Sequence, residues 1–261
     1  MFTDQEAYSK LKKFVGNFPD TLVVLGSGWN KVLDDIKIIE RISYENIFGV
    51  KSSVPGHNGE LVIGQIGEKR IAFMSGRFHT YEGYGAEEAT TPVRVFAKSG
   101  IKNLIMTSAV GALNEKYKVG DFVILNDVIT ILQVLDNPLK GPKFIDMSQV
   151  FDGKLRQKAI DVSRKLNIRY REGIYIYYHG PNFESPADKR ALRILGADVT
   201  GMSMIPEVIV ARSLNLRILG LAFVTNLAFV KHDHKEVLRE AEKAGKKMKN
   251  LILGLIKKIN G

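Results

Sequence analysis

Residues 21–28 read Thr-Leu-Val-Val-Leu-Gly-Ser-Gly. Five apolar or β-branched residues in unbroken succession predict a short strand buried on both faces. That is the pattern of a sheet covered by helices, not of a half-solvated hairpin. The Gly-Ser-Gly that follows turns the chain tightly, and its backbone N–H groups and the Ser27 hydroxyl can hold an anion. A plain strand-ending turn accounts for the same residues. Neither a dinucleotide fingerprint nor a Walker A loop is completed: Lys31 stands at the third glycine position, and no Gly-Lys-Ser/Thr follows.

Further strands are predicted at 61–66, 70–75, 103–108, 122–132, 173–178 and 216–225. Helical patterns occupy 87–98, 154–166, 186–195, 206–214 and 236–259. In the last, Ala241, Ala244, Met248, Leu251, Leu255 and Ile259 recur three or four apart, a docking stripe with lysines on the solvated side. This alternation predicts an α/β fold: a single-domain, mixed, mostly parallel β-sheet flanked by helices. No linker or composition shift divides residues 1–261, so one domain is expected. Ligands of such sheets gather at the carboxyl ends of strands.

The chain has 261 residues, 45% of them hydrophobic, enough for a substantial core. Lys+Arg 38 against Asp+Glu 28 gives a net charge of +10. A nucleic-acid footprint needs clustered basic residues. Here they are dispersed, and the densest stretch, 235–258, also carries Glu236, Glu240 and Glu242. No nucleic-acid or membrane partner is expected, only a bias toward anionic small substrates. The polar start shows no basic segment leading into an apolar run, and no apolar stretch approaches the roughly 20 residues that cross a bilayer. Cysteine is absent, compatible with a reducing cytoplasm, where the protein is expected.

Chemistry-bearing residues cluster where strands end. Gly76-Arg77-Phe78-His79-Thr80-Tyr81-Glu82-Gly83-Tyr84 offers a forked guanidinium and an imidazole among aromatics, a mixture that core packing does not explain. Thr107-Ser108-Ala109-Val110-Gly111-Ala112-Leu113-Asn114 has small residues that admit either a ligand or a packed helix. In Gly180-Pro181-Asn182-Phe183-Glu184-Ser185-Pro186, Phe183 can stack on a base and Glu184 can accept from a ring N–H. Glu184 equally suits the start of the helix that follows. Met202 reads as a core filler. Thr225-Asn226 ends the last apolar strand, where an Asn presents donors and an acceptor or simply makes a turn. His57 and His234 stand alone, and Asp233, between His232 and His234, lacks a second ligand group at metal-binding spacing.

The order of these motifs is specific. Gly-Ser-Gly, Gly-Arg-Phe-His-x-Tyr-Glu-Gly-Tyr, Gly-Pro-Asn-Phe-Glu, Gly-Ala-Asp-x-x-Gly-Met-Ser-x-x-Pro-Glu and Thr-Asn follow one another from about Leu25 to Leu238. In this the chain resembles the trimeric purine nucleoside phosphorylases, and the resemblance implies their nucleoside phosphorylase-like fold. It implies a phosphate cradle of Ser27, Arg77, His79 and Ser203 with the backbone around Ala109, and His57 in a loop beside it. It implies ribose contacts from Tyr81 and Met202, with His234 reaching the 5′-hydroxyl. The base pocket falls to Phe183, Glu184, Thr200, Gly201 and Asn226, and the catalytic roles to Asn226, His79 and Glu184. Inorganic phosphate is a co-substrate, and no metal or other cofactor is implied. The usual assembly is a homotrimer with active sites at its interfaces, and Phe144 is the candidate aromatic reaching a neighbouring site. Departures from the family pattern are Asn30 for a common glycine, Ser108 for asparagine, Ala112 for glycine and Thr200 for a frequent valine. The segments 142–148 and 226–234 look shorter than in vertebrate-like members.

The reaction so implied is attack of phosphate on C1′ of a purine nucleoside, through a ribosyl cation-like state. Asn226 would donate near N7/O6 as negative charge gathers on the base. Glu184 would meet the N1–H edge. A 6-oxopurine offers both partners, so inosine and guanosine, with their deoxy forms, are the expected substrates in purine salvage. The alternative is methylthioadenosine phosphorylase, where an aspartate typically follows the threonine in place of Asn226. A dinucleotide-dependent oxidoreductase lacks its third glycine and ribose-binding acid, and a nucleic-acid-binding protein lacks its footprint.

Overall fold

The computed structural model describes residues 1–52, 54, 57–130, 136–229 and 234–259, without the side chains of 234–237. In chain order its elements are α1 (Asp4–Phe14), β1 (Thr21–Leu25), β2 (Lys37–Ser43), α2 (Tyr44–Phe48), β3 (Glu60–Ile66), β4 (Lys69–Ser75), α3 (Ala86–Ala89), α4 (Thr91–Lys98), β5 (Asn103–Ala112), β6 (Phe122–Ile129), α5 (Gly153–Lys165), β7 (Tyr170–Tyr177), α6 (Pro186–Ile194), β8 (Val199–Gly201), α7 (Ile205–Ser213), β9 (Arg217–Leu227) and α8 (His234–Ile259). The strands form one mixed sheet in the order β2-β3-β4-β1-β5-β8-β7-β6-β9, with β9 also paired to β5. Among the described residues, five of the nine pairings are parallel.

β5 organises the sheet. Along one edge it pairs with β1 over its first half and with β8 at Gly111 and Ala112, while β9 runs beside it throughout. The path β5-β8-β7-β6-β9 therefore returns to β5, and five strands close on one another.

The unbroken apolar runs are buried on both faces, as their composition requires. Leu22 and Val24 of β1, with Leu104 and Met106 of β5, face a core shared with α1, α2, α4 and α7. The alternate residues Val23, Leu25 and Ile105 face a second core shared with α5 and α8. In α8 the expected stripe is buried from Ala241 to Leu255, widened by Ile252 and Ile256, and Ile259 is half-buried. Each buried Leu, Ile or Met side chain contributes roughly 1.5–3 kcal/mol, which holds α8 under the sheet. Gly28 completes that contact. It sits at φ +81°, and a Cβ there would stand 2.2 Å from Ala241 Cβ.

Several expectations need correction. The helix expected at 87–98 is two helices, interrupted at Thr90. Pro92 lacks the N–H that would continue the ladder, and its ring crowds the preceding turn. The strand expected at 122–132 ends at Ile129, and 131–135 lie outside the described residues. β2 and β8 were not expected. β2 is a mostly exposed antiparallel edge carrying Lys37, Glu40 and Arg41, and β8 has three residues. Nor was α1, which starts with a Thr3/Glu6 capping box.

Candidate active site

The ends of β1, β4, β5, β8 and β9 surround a cavity of about 480 Å³. Of the residues singled out from sequence, Ser27, His57, Arg77, His79, Tyr81, Ala109, Phe183, Glu184, Thr200, Gly201, Met202, Ser203 and Asn226 all line it. Two do not. Phe144 is 95% exposed and outside the lining. His234 begins α8, and its side chain lies outside the described residues.

One group of side chains gathers where β1, β4 and β5 end. Arg77, just past β4, is almost wholly buried. Its Nη1 donates to Glu207 Oε2 at 3.2 Å, and its Nη2 donates to the Thr107 carbonyl at 2.7 Å. Its Nε is buried without a hydrogen-bond partner among the described residues. Thr107 also fixes the Gly-Ser-Gly turn, since its hydroxyl accepts from Gly26 N–H and donates to Val24 O, each at 2.9 Å. The turn that carries Ser27 is thus clamped to the strand that carries Ser108 and Ala109.

Three rings stack beside the guanidinium: His57 on His79 at 5.2 Å, and His79 on Tyr81 at 4.6 Å. The Arg77 backbone N–H donates to His57 Nδ1 at 3.4 Å, so the proton of a neutral His57 sits on Nε2. Burial, aided by the charge on His79 and on Arg77, pulls the His57 pKa down to about 3 and keeps the ring neutral. His57 Nε2 is therefore a second buried donor without a partner among the described residues. His79 Nδ1 lies 2.8 Å from Glu82 Oε1. Burial lowers the His79 pKa, and the Glu82 hydrogen bond partly opposes it.

Ser203 enters this group on a strained segment. Met204 has φ +70° and ψ −47°, and Ile205 N–H donates to Ser203 O at 2.9 Å, a γ-turn of the rarer positive-φ kind. Tyr175 holds the turn: its hydroxyl donates to Ser203 O at 2.9 Å and lies 3.2 Å from Ser203 N. Burial pushes the Tyr175 pKa up to about 12, so the clamp keeps its proton. Ser203 Oγ and Ser108 Oγ are 3.2 Å apart.

A second group surrounds Gly111. The register between β5 and β9 slips so that Val110 faces Val224 but Gly111 faces Asn226, leaving Thr225 as the extra residue of a β-bulge. The bulge shifts the alternation by one and re-aims Asn226. A Cβ on Gly111 would stand 3.0 Å from Asn226 Nδ2, so the absent side chain makes room for the amide. The Thr225 hydroxyl lies 2.9 Å from Asn226 Oδ1 and 3.2 Å from Val110 O. Across Gly111, the Thr200 hydroxyl donates to Glu184 Oε1 at 2.7 Å, and both residues are buried. Glu184 precedes the helix but does not cap it; Ser185 does. Phe183 is 38% exposed at the rim, and Met202, read as core, is a half-buried lining residue.

Glu207, Thr107, Glu82, Tyr175 and Thr225 were not assigned roles from sequence. Glu207 offered one signal, an acid in the first turn of a helix otherwise apolar from Ile205 to Ala211. Among the described residues no group of three or more His, Asp or Glu side chains could hold a metal ion, and no helix is long and apolar enough to cross a membrane.

Comparison with known proteins gives a consistent picture. The family profile described as "Phosphorylase superfamily" matches residues 20–257. "Purine nucleoside phosphorylase 1" of Geobacillus stearothermophilus is 40% identical over 252 residues, 92% of this chain and 91% of that one. The crystal structure of Schistosoma mansoni purine nucleoside phosphorylase in complex with adenosine superposes with a TM-score of 0.89 at 33% identity, covering 98% of this chain and 96% of that one. A schistosoma purine nucleoside phosphorylase in complex with hypoxanthine gives a TM-score of 0.89 at 32% identity, with the same coverage.

Proposed function

The chain belongs to the phosphorylase superfamily and, within it, to the purine nucleoside phosphorylases, and from that premise we propose how its cavity works. The enzyme cleaves the N-glycosidic bond of 6-oxopurine ribo- and deoxyribonucleosides with inorganic phosphate, releasing the base and (deoxy)ribose 1-phosphate.

The observation that carries this reading is the spacing of two polar groups along one strand. Ser108, among the Arg77, His57 and Ser203 donors, and Gly111, between Glu184 and Asn226, are three residues apart on β5. At about 3.3 Å per residue they lie roughly 10 Å apart. That is the span from a phosphate beneath a ribose to the far edge of the purine above it.

Phosphate is received by Ser27, Arg77, His79, Ser203 and the backbone at Ala109, with His57 behind them. Arg77 Nε and His57 Nε2, without a hydrogen-bond partner among the described residues, are donors of the kind an oxyanion satisfies. Tyr81, Met202 and His234 meet the ribose. Phe183 and Gly201 bound the base, Glu184 accepts from N1–H, and Asn226 donates toward N7/O6. As the C1′–N9 bond breaks, its electrons pass to the purine, where Asn226 holds the developing charge. The phosphate dianion faces the ribosyl cation and then bonds to C1′. No step requires a metal or organic cofactor. The working assembly is a cytoplasmic homotrimer, in which the exposed Phe144 reaches a neighbouring site.

The test is base release from inosine, guanosine, adenosine and methylthioadenosine, with and without phosphate. Phosphate-dependent release from the first two, with little adenine from the others, supports the reading. Preference for methylthioadenosine overturns the base assignment, and no release overturns the activity.

A further inference from the structure

Thr200 sits between the two side chains assigned to the base edge. Its hydroxyl donates to Glu184 Oε1 at 2.7 Å. Its methyl carbon lies 3.5 Å from where a Cβ on Gly111 would stand, and Asn226 Nδ2 lies 3.0 Å from that same point. Thr200 is 4% exposed and Glu184 8%, so little water competes for this bond. The backbone leaves Thr200 little freedom, because β8 is pinned on both sides. Thr200 pairs with Gly111 of β5 and with Ile176 of β7.

A glutamate reaches its target through three rotatable bonds, and an unheld carboxylate loses that freedom only when substrate arrives. A hydroxyl fixed on a strand removes the cost beforehand. It also ties up one carboxylate oxygen, Oε1, and leaves the other to accept from a ligand. A β-branched apolar residue at position 200 fills the same space and does neither.

We propose that Thr200 is a specificity-determining positioning residue, whose hydroxyl holds Glu184 in the orientation that accepts the N1–H of a 6-oxopurine. The proposal rests on the assignment of Glu184 to the base edge made above. Thr200 acts through Glu184 alone, so its hydroxyl matters for a nucleoside that has an N1–H. It contributes nothing for adenosine, which has none, and nothing to phosphate.

The experiment is steady-state phosphorolysis of inosine and adenosine by the wild-type enzyme, Thr200→Val and Thr200→Ser, with the KM for phosphate measured in parallel. Thr200→Val keeps the shape and removes the donor. It is expected to raise the KM for inosine and to lower the inosine-to-adenosine ratio of kcat/KM by about tenfold, with the phosphate KM unmoved. Thr200→Ser restores the hydroxyl and is expected to restore the ratio. Thr200→Ala is a second donor-less variant with the same expectation, should Thr200→Val fold poorly. An unchanged ratio in the donor-less variants, an equal loss with both nucleosides, or failure of Thr200→Ser to restore the ratio would overturn the proposal. A wild-type enzyme that releases no hypoxanthine from inosine would instead remove the functional reading beneath it.

Discussion

Glu207 Oε2 lies 3.2 Å from Arg77 Nη1, with both side chains almost wholly buried, so the guanidinium assigned to phosphate already carries a partner of opposite charge. The Thr107 carbonyl takes Nη2. Arg77 is therefore oriented by the protein, and Nε is its one nitrogen without a hydrogen bond among the described residues.

Removing that partner leaves an uncompensated buried charge. Glu207→Gln is expected to destabilise the fold by about 3–5 kcal/mol, read by thermal or denaturant unfolding. Because Arg77 loses its orientation, the KM for phosphate is expected to rise more than the KM for nucleoside. Wild-type stability with an unchanged phosphate KM would show that the pair orients nothing.

Asn226 is assigned to charge that exists only as the bond breaks. Asn226→Ala is therefore expected to lower kcat by about 10²–10³-fold with a smaller change in KM, as for other single donors aimed at developing charge. An effect confined to KM would reassign Asn226 to ground-state binding.

His57 links stability to pH. Its folded pKa of about 3 lies below the ordinary 6.5, so between those values the unfolded chain binds a proton that the folded chain refuses. Stability contributed by the neutral ring is present above pH 6.5 and is lost as pH falls, by at most about 1.4 kcal/mol per pH unit. His57→Asn is expected to flatten unfolding free energy against pH over that window. An equally steep profile would place the acid sensitivity elsewhere.

Gly28→Ala tests the contact between the first turn and the last helix. The new methyl would meet Ala241 at a backbone φ of +81°, so stability is expected to fall by about 2 kcal/mol or more. A melting temperature equal to wild type would mean that α8 yields freely at this point.

The doubly buried strands were legible because β1, the start of β5 and most of β9 have little but apolar residues to offer. β2 was not: an edge strand exposed to water keeps its charges and shows no alternation. β8 gains its order from pairing with β5 and β7, residues remote in the chain. The site was legible as an ordered series of motifs, and thirteen of its expected residues share one cavity. What holds them was hidden. Arg77 and Glu207 are 130 positions apart, and the bulge at Thr225 exists only against β5. The γ-turn at Met204 is likewise a product of packing, since no glycine marks it.

In the mechanism proposed for this cavity, phosphate itself attacks the sugar. The most direct measurement is incubation of inosine with the enzyme and ³²P-labelled phosphate, followed by separation of the products. Label recovered in ribose 1-phosphate, in one-to-one proportion with hypoxanthine released, is the predicted result. Hypoxanthine appearing with free ribose and no labelled sugar phosphate would make water the nucleophile and contradict the assignment of Arg77, His79 and Ser203.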